Sequence, residues 1–137
     1  MAGDIQKVTA YVADTHALFW YLTDNPRLGA AASRAFDEAD ASAALIYIPA
    51  IVLAELYFLN EKLGAPLDFP AEFARLRQSA QFALFPFVPE EVLEFAANAA
   101  TPEMHDRIIV GAARKLNAAC LTKDSKIAAS KLVAVIW

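Results

Sequence analysis

The chain has 137 residues, of which 58% are hydrophobic and 20% are charged, and its formal net charge at pH 7 is −4. This length fits one domain around a single core, so we expect one domain over residues 1–137. The acidic balance argues against broad non-specific binding to nucleic acid, and no apolar run reaches the roughly 18 residues that a membrane span needs. The N-terminal residues do not resemble a secretory signal, so we expect a cytoplasmic protein.

The first half of the chain alternates short apolar runs with stretches of helix-forming residues. The runs "KVTAYVAD" and "ALIYIP" are rich in β-branched and aromatic residues, which predicts two buried strands. Helices are predicted for "THALFWYL", with Thr15 available as its cap, and for "AAASRAFDEADA". A third helix is predicted for "PAIVLAELYFLNEKLG", ending at its glycine.

The second half continues the alternation. We predict helices for "DFPAEFARLRQSA", "PEEVLEFAANAA" and "TPEMHDRIIVGAARKLN", the last capped at Thr101, and strands for "FALFPFVP", "AACLT" and "LVAVIW". The lone cysteine, Cys120, lies in an apolar run and is expected to be buried. Short apolar strands separated by helices predict an α/β fold, with a mostly parallel central sheet of about five strands and helices on both faces.

Four acidic residues stand where they can meet in such a fold. Asp14 follows the first strand and Asp124 follows "AACLT", and ligands collect at the edge where parallel strands end. Glu55, on the apolar face of its helix, and Asp106, in the first turns of a late helix, can join them. Clustered carboxylates repel one another unless a cation neutralises them. An all-oxygen set without cysteine therefore suggests Mg²⁺ or Mn²⁺ and chemistry on phosphoryl groups.

Each acid also has a purely structural explanation. Asp14 and Asp124 can cap the helices that follow them, and Asp106 can favour the positive end of its helix. Glu55 is harder to explain in this way, because a buried glutamate needs an Arg or Lys partner.

Neighbouring polar residues are open to two interpretations. His16 and His105 adjoin two of the acids, and for both a surface or hydrogen-bonding role is favoured over that of a general base. Thr15 and Thr122 can orient a water molecule on a metal, or simply satisfy backbone groups.

Charge is unevenly distributed along the sequence. Residues 101–137 contain six Lys/Arg and three Asp/Glu, whereas residues 1–100 contain six and thirteen. A local basic rim can therefore adjoin an acidic site. Arg107 and Lys123 flank two of the acids, so we predict that they hold substrate phosphates; the alternative is that both are solvated surface charges.

Four stretches, "YVADTHALFW", "IPAIVLAEL", "MHDRIIVGAA" and "CLTKDSKI", resemble in this order the four acidic motifs of PIN-domain ribonucleases. Size and arrangement are similar to those of the VapC-type toxins of bacterial toxin–antitoxin pairs. The resemblance implies a PIN-domain-like fold and an endoribonuclease in which Asp14, Glu55, Asp106 and Asp124 hold Mg²⁺ or Mn²⁺ and activate water against an RNA phosphodiester. Thr15 and Thr122 match the frequent hydroxyl positions of the family. A cognate antitoxin and homodimerisation are also implied.

Two other functions deserve comparison. A catalytically weak PIN-like module that only binds RNA or protein would be free to lose the acids, and this chain retains all four. A phosphoryl-transfer enzyme of the haloacid-dehalogenase kind would use Asp14 as nucleophile and needs a second aspartate two residues later, where this chain has His16. The sequence contains no glycine-rich phosphate loop.

The apolar surplus of the N-terminal half predicts a docking surface. A small domain has limited interior, so we expect part of a set of residues on two neighbouring helices to stay exposed as a groove for an antitoxin helix. The set is Leu18, Phe19, Tyr21, Tyr57 and Phe58. The alternative is that all five belong to the core.

Overall fold

The structure is a computed structural model that describes residues 8–137. Residues 1–7, on which the expectation about a secretory signal and the start of the first predicted strand depend, lie outside the described residues. The strands are β1 (Thr9–Ala13), β2 (Ala44–Pro49), β3 (Phe82–Phe85), β4 (Ala119–Leu121) and β5 (Val135–Ile136). The helices are α1 (Thr15–Leu22), α2 (Ala30–Asp40), α3 (Ala50–Lys62), α4 (Phe69–Gln78), α5 (Met104–Lys115) and α6 (Ser125–Ser130).

The five strands form one sheet in the order β3-β2-β1-β4-β5, and all four neighbouring pairs are parallel. Strands covered on both faces read as continuous apolar runs, and Tyr11, Val12 and Ala13 of β1 are all buried. The predicted α/β fold with a sheet of about five strands is confirmed.

The order of the strands determines where a site can form. The chain passes outward from β1 to β3, then crosses back to lay β4 and β5 on the other side of β1. Because parallel crossovers are right-handed, this reversal of direction places crossover helices on both faces of the sheet. It also opens a crevice between the carboxyl ends of β1 and β4, which is where ligands bind in open parallel sheets.

Two predicted helix caps are wrong by one or two residues. α1 is capped by Asp14, whose Oδ1 accepts a hydrogen bond from the Thr15 backbone N–H at 2.6 Å, so Thr15 is the first helical residue. α5 is capped by Glu103, whose side chain accepts from the Asp106 N–H at 3.0 Å, whereas Thr101 is fully buried before the helix begins. In both cases a carboxylate, the stronger acceptor, takes the capping position.

The predicted helix "PEEVLEFAANAA" is also wrong. Only Pro89–Glu94 is helical, as a 3₁₀ helix, and residues 95–100 form turns. This segment is held by α5 through Asn98, which is 3% exposed and whose Oδ1 accepts from Arg114 Nη1 at 2.6 Å. The contact between Asn98 and Arg114 therefore outweighs the tendency of the local sequence to form a helix.

The apolar residues of the N-terminal half divide between core and surface. Leu18 and Phe19 are in the core, and Tyr21 stacks on Phe36 with ring centroids 4.2 Å apart, so these three are not the exposed part of the predicted set. Tyr57 and Phe58 are 43% and 70% exposed, as the groove prediction requires.

Cys120 is fully buried in β4, and the expectation for it is confirmed. Burial raises the pKa of its thiol well above the usual range, and the carboxylates of Asp14, Asp106 and Asp124 raise it further. The thiol is therefore unreactive at neutral pH. Among residues 8–137, no helix combines the length and the apolar character needed to cross a bilayer.

Candidate active site

The first part of the site lies where β1 and β4 end. The Asp14 N–H donates to the Leu121 carbonyl at 3.1 Å, which continues the contact between the two strands past the end of β1. Thr122 Oγ1 then donates to Asp14 Oδ2 at 2.7 Å and accepts from the Asp124 N–H at 3.0 Å. Thr122 is 2% exposed, so a buried hydroxyl ties Asp14 to the loop that carries Asp124.

Asp14 and Asp124 also cap helices. Asp14 Oδ1 caps α1, and Asp124 Oδ1 accepts from the Lys126 N–H at 2.8 Å at the start of α6. The structural explanations of both residues are therefore correct. They leave a further role open, because an ionised carboxylate offers about four acceptor positions and each cap uses one.

Glu55 reaches the site from α3. Its Oε1 accepts from Thr15 Oγ1 at 2.9 Å, and its Oε2 lies 3.1 Å from His105 Nδ1. The side chain is 31% exposed, which corrects the picture of a glutamate embedded in an apolar face. Its partners among the described residues are Thr15 and His105. No Arg or Lys of residues 8–137 pairs with it, so a structural ion pair does not explain its position.

Asp106 lies in the first turn of α5. Among residues 8–137, no hydrogen bond ends on its carboxylate. Burial, together with the nearby carboxylates of Asp124, Glu103, Asp14 and Glu55, raises its pKa from 3.8 to about 6. The other three predicted site acids therefore lie near enough to Asp106 to oppose its negative charge.

Among residues 8–137, no Lys or Arg forms an ion pair with any of the four acids. In the described part of the chain, the ion pairs of Lys and Arg are Arg75–Glu72 and Lys115–Glu91, and neither includes a site acid. No three His, Cys, Asp or Glu side chains of residues 8–137 are already gathered into an arrangement that could hold a metal ion. Chemically, however, an uncompensated set of carboxylate and hydroxyl oxygens fits a hard divalent cation such as Mg²⁺ or Mn²⁺.

The two predicted phosphate-binding residues lie in different surroundings. Lys123 is exposed, with Nζ 4.5 Å from the centroid of the Trp20 ring, so its charge stays beside the loop that carries Asp124. Arg107 donates through Nε to the Thr101 carbonyl at 2.6 Å and through Nη1 to the Phe95 carbonyl at 3.4 Å. Arg107 also lines a cavity of about 480 Å³ beside α5, and none of the four acids lines it.

The two histidines also differ. His16 is exposed and packs edge-on against Trp20, with ring centroids 5.4 Å apart, whereas His105 contacts Glu55 directly. The sequence favoured a surface or hydrogen-bonding role for both. It held no signal for which histidine would face a site acid, because the contact joins α3 to α5 across 50 positions.

Comparisons with known proteins identify the family. Residues 11–131 match the PIN domain, so the chain belongs to the PIN-domain family, as its motifs predicted. PIN domains are generally nucleases, and those nucleases generally use divalent metal ions. No curated protein matches the sequence.

Solved structures with the same fold come from several organisms. VapBC2 from Rickettsia felis, bound to a promoter DNA fragment, has a TM-score of 0.69 and 16% identity, covering 93% of this chain and 97% of that chain. FitAcB from Neisseria gonorrhoeae has a TM-score of 0.64 and 22% identity, covering 91% and 95%. PAE2754 from Pyrobaculum aerophilum has a TM-score of 0.59 and 17% identity, covering 94% and 92%. At these identities the likeness establishes the fold.

Proposed function

We propose that this protein, as one PIN domain over residues 1–137, is a metal-dependent endoribonuclease and the toxin of a toxin–antitoxin pair in the cytoplasm. The observation that carries the nuclease proposal is that the carboxylates of Asp14, Glu55 and Asp124 act on Asp106, while none of the four acids has a Lys or Arg partner in the described chain. Membership of a family of nucleases supports it. The toxin assignment is supported by likeness to VapBC and FitAB structures, which are toxin–antitoxin proteins.

In this proposal Asp14, Glu55, Asp106 and Asp124 hold Mg²⁺ or Mn²⁺. When bound, such a cation supplies the positive charge that lowers the pKa of a water molecule and offsets charge on the phosphodiester. The protein's own contribution is orientation. Thr122 and the Thr15 N–H fix the two oxygens of Asp14.

The deciding experiment is a cleavage assay on single-stranded RNA with purified protein. We expect cleavage with Mg²⁺ or Mn²⁺ and loss of cleavage with excess EDTA. Asp14→Asn removes charge at the crevice and should lower the rate by about 10³-fold. Asp24→Asn, at an exposed aspartate outside the cluster, is the matched control and should cleave at the wild-type rate.

Cleavage that survives exhaustive chelation, or full activity in Asp14→Asn, would contradict the proposal. RNA binding without cleavage under every metal condition would favour the catalytically weak binding module instead.

We also propose that Lys123 and Arg107 hold substrate phosphates. Because Arg107→Ala would also release the Thr101 and Phe95 carbonyls, Lys123 gives the cleaner test. Lys123→Ala should flatten the slope of log affinity for single-stranded RNA against log salt by roughly 0.7, the value for one phosphate contact. Lys62→Ala, at an exposed lysine in the last turn of α3, is the control and should leave the slope unchanged. An unchanged slope in Lys123→Ala would show that Lys123 does not contact a phosphate of the RNA.

The proposed partners are an antitoxin and a second copy of the chain. Tyr57 and Phe58 of α3 pack edge-on at 5.3 Å, and Tyr57 makes a similar contact with Phe69 of α4 at 5.4 Å. This partly exposed aromatic surface suits the apolar face of an antitoxin helix.

The partner proposal is tested by co-purification with the product of the neighbouring gene. Phe58→Ser should lower the affinity for that protein at least tenfold, because the partner would cover the exposed ring of Phe58 and serine cannot replace that apolar contact. Leu93→Ser, at an 81% exposed leucine of the 3₁₀ helix, is the control and should bind normally. A monomeric protein that neither binds its neighbour nor is inhibited by it would defeat the toxin assignment but not the nuclease assignment.

A further inference from the structure

The carboxylate of Glu55 is held from two sides by residues of two other helices. Thr15 of α1 bonds to Oε1, and His105 of α5 bonds to Oε2. The other acid near His105 is Glu103, but its nearest oxygen is 3.9 Å from Nδ1 and its other oxygen caps α5. Glu55 is therefore the hydrogen-bond partner of His105.

The direction of this bond follows from the chemistry of the two groups. An ionised carboxylate can only accept hydrogen bonds, so Nδ1 of His105 carries the proton and donates it. With one donor on each oxygen, the plane of the Glu55 carboxylate is fixed, and each oxygen keeps acceptor capacity for another ligand.

Glu55 depends on such support more than the aspartates do. Glutamate has one more rotatable bond than aspartate and loses more side-chain entropy when it is fixed. Asp14 is held directly beside its own strand by the Thr15 N–H and Thr122, whereas Glu55 must reach across from α3. Removing one of its two donors would leave the carboxylate free to rotate.

We propose that His105 is a positioning residue that fixes the Glu55 carboxylate for the divalent cation of the site. The inference rests on the proposed function, because it assigns His105 a part in that same site. His105 acts through Glu55, by the hydrogen bond between Nδ1 and Oε2, and it takes no part in the bond-breaking step.

The test is the affinity for Mn²⁺, measured by titration calorimetry on the purified chain without RNA. His105→Ala should weaken Mn²⁺ binding by about 10- to 100-fold, the usual effect of losing a residue that orients a metal ligand. His105→Asn places an N–H at the same δ position as Nδ1 and should restore affinity to within a few-fold. His105→Gln moves the N–H one bond further out and should not.

His16→Ala is the matched control, because His16 also adjoins a site acid but packs on Trp20, and it should bind Mn²⁺ as the wild type does. If His105→Ala does not fold, the comparison of the Asn and Gln variants decides. Wild-type affinity in His105→Ala, or equal affinity in the Asn and Gln variants, would overturn the inference while leaving the proposed function intact. A wild-type chain that binds no Mn²⁺ would overturn both.

Discussion

Replacing Asp106 by Asn is expected to abolish cleavage and, in the metal-free protein, to stabilise the fold. Cleavage should fall by about 10³-fold, because the variant lacks one of the charges that would hold the cation. Stability should rise because the Asp106 charge is partly buried among other carboxylates, which is why its pKa is raised to about 6. Since Asp106 is partly exposed and screened, we expect a gain of about 1 kcal/mol.

The same destabilisation predicts how stability changes with pH. Below its unfolded pKa Asp106 is neutral in both states, and as the pH rises through about 4 to 6 the folded protein keeps the proton while the unfolded chain loses it. At low pH the protonated Asp106 does not destabilise the wild-type protein. As the pH rises through the folded pKa of Asp106, its charge forms among the other carboxylates and the wild-type protein loses stability. The stability difference between Asp106→Asn and the wild type should be near zero at about pH 4 and reach its full value at about pH 7.

Chemical denaturation in EDTA at several pH values measures both effects. Asp37→Asn, at an exposed aspartate of α2, removes the same charge outside the cluster and should leave activity and this pH dependence unchanged. An Asp106→Asn variant that is less stable than the wild type at pH 7 would contradict the repulsion between the acids.

Replacing Thr122 by Val is expected to weaken both the fold and the metal site. The buried hydroxyl donates to the charged Asp14 and accepts from the Asp124 N–H, so its loss removes a charge-assisted hydrogen bond. We expect a loss of about 1.5–3 kcal/mol in stability. Because Asp14 is then no longer oriented, Mn²⁺ affinity should fall by about 10- to 100-fold.

Thr23→Val separates these two effects. Thr23 also donates a hydrogen bond, to the Phe19 carbonyl at 2.8 Å, but at the far end of α1 and to an uncharged acceptor. It should cost about 0.5–1.5 kcal/mol of stability and leave Mn²⁺ affinity unchanged. Equal loss of Mn²⁺ affinity in both variants would mean that Thr122 acts only through general stability.

The sequence predicted the fold and the positions of the acids because both depend on local patterns. Buried parallel strands read as apolar runs, and a residue that follows such a strand must lie at the carboxyl edge of the sheet, which places Asp14 and Asp124. The four acids were also recognisable by their order along the chain. The strand order, and hence the reversal between β1 and β4, leaves no comparable local pattern.

Sequence reasoning missed pairings between residues that lie in different elements of the fold. Asn98 is held by Arg114, so the segment before α5 forms turns where its composition favours a helix. Arg107 binds two backbone carbonyls, and backbone groups are offered by every residue type, so the sequence gives no sign of the pairing. Nothing in the sequence indicated that His105 and Glu55 would form a hydrogen bond with each other, because they lie on two different helices.

The hydrogen bond between Thr122 and Asp14 joins residues 108 positions apart. During synthesis Asp14 leaves the ribosome early, but its partner Thr122 is among the last residues of the site to be made. Contacts of such long range also form late in folding, because the intervening chain must first be ordered. The acid cluster is therefore assembled only once nearly the whole chain has emerged and β4 has paired with β1, so a nascent or truncated chain that ends before β4 is expected to lack a complete site.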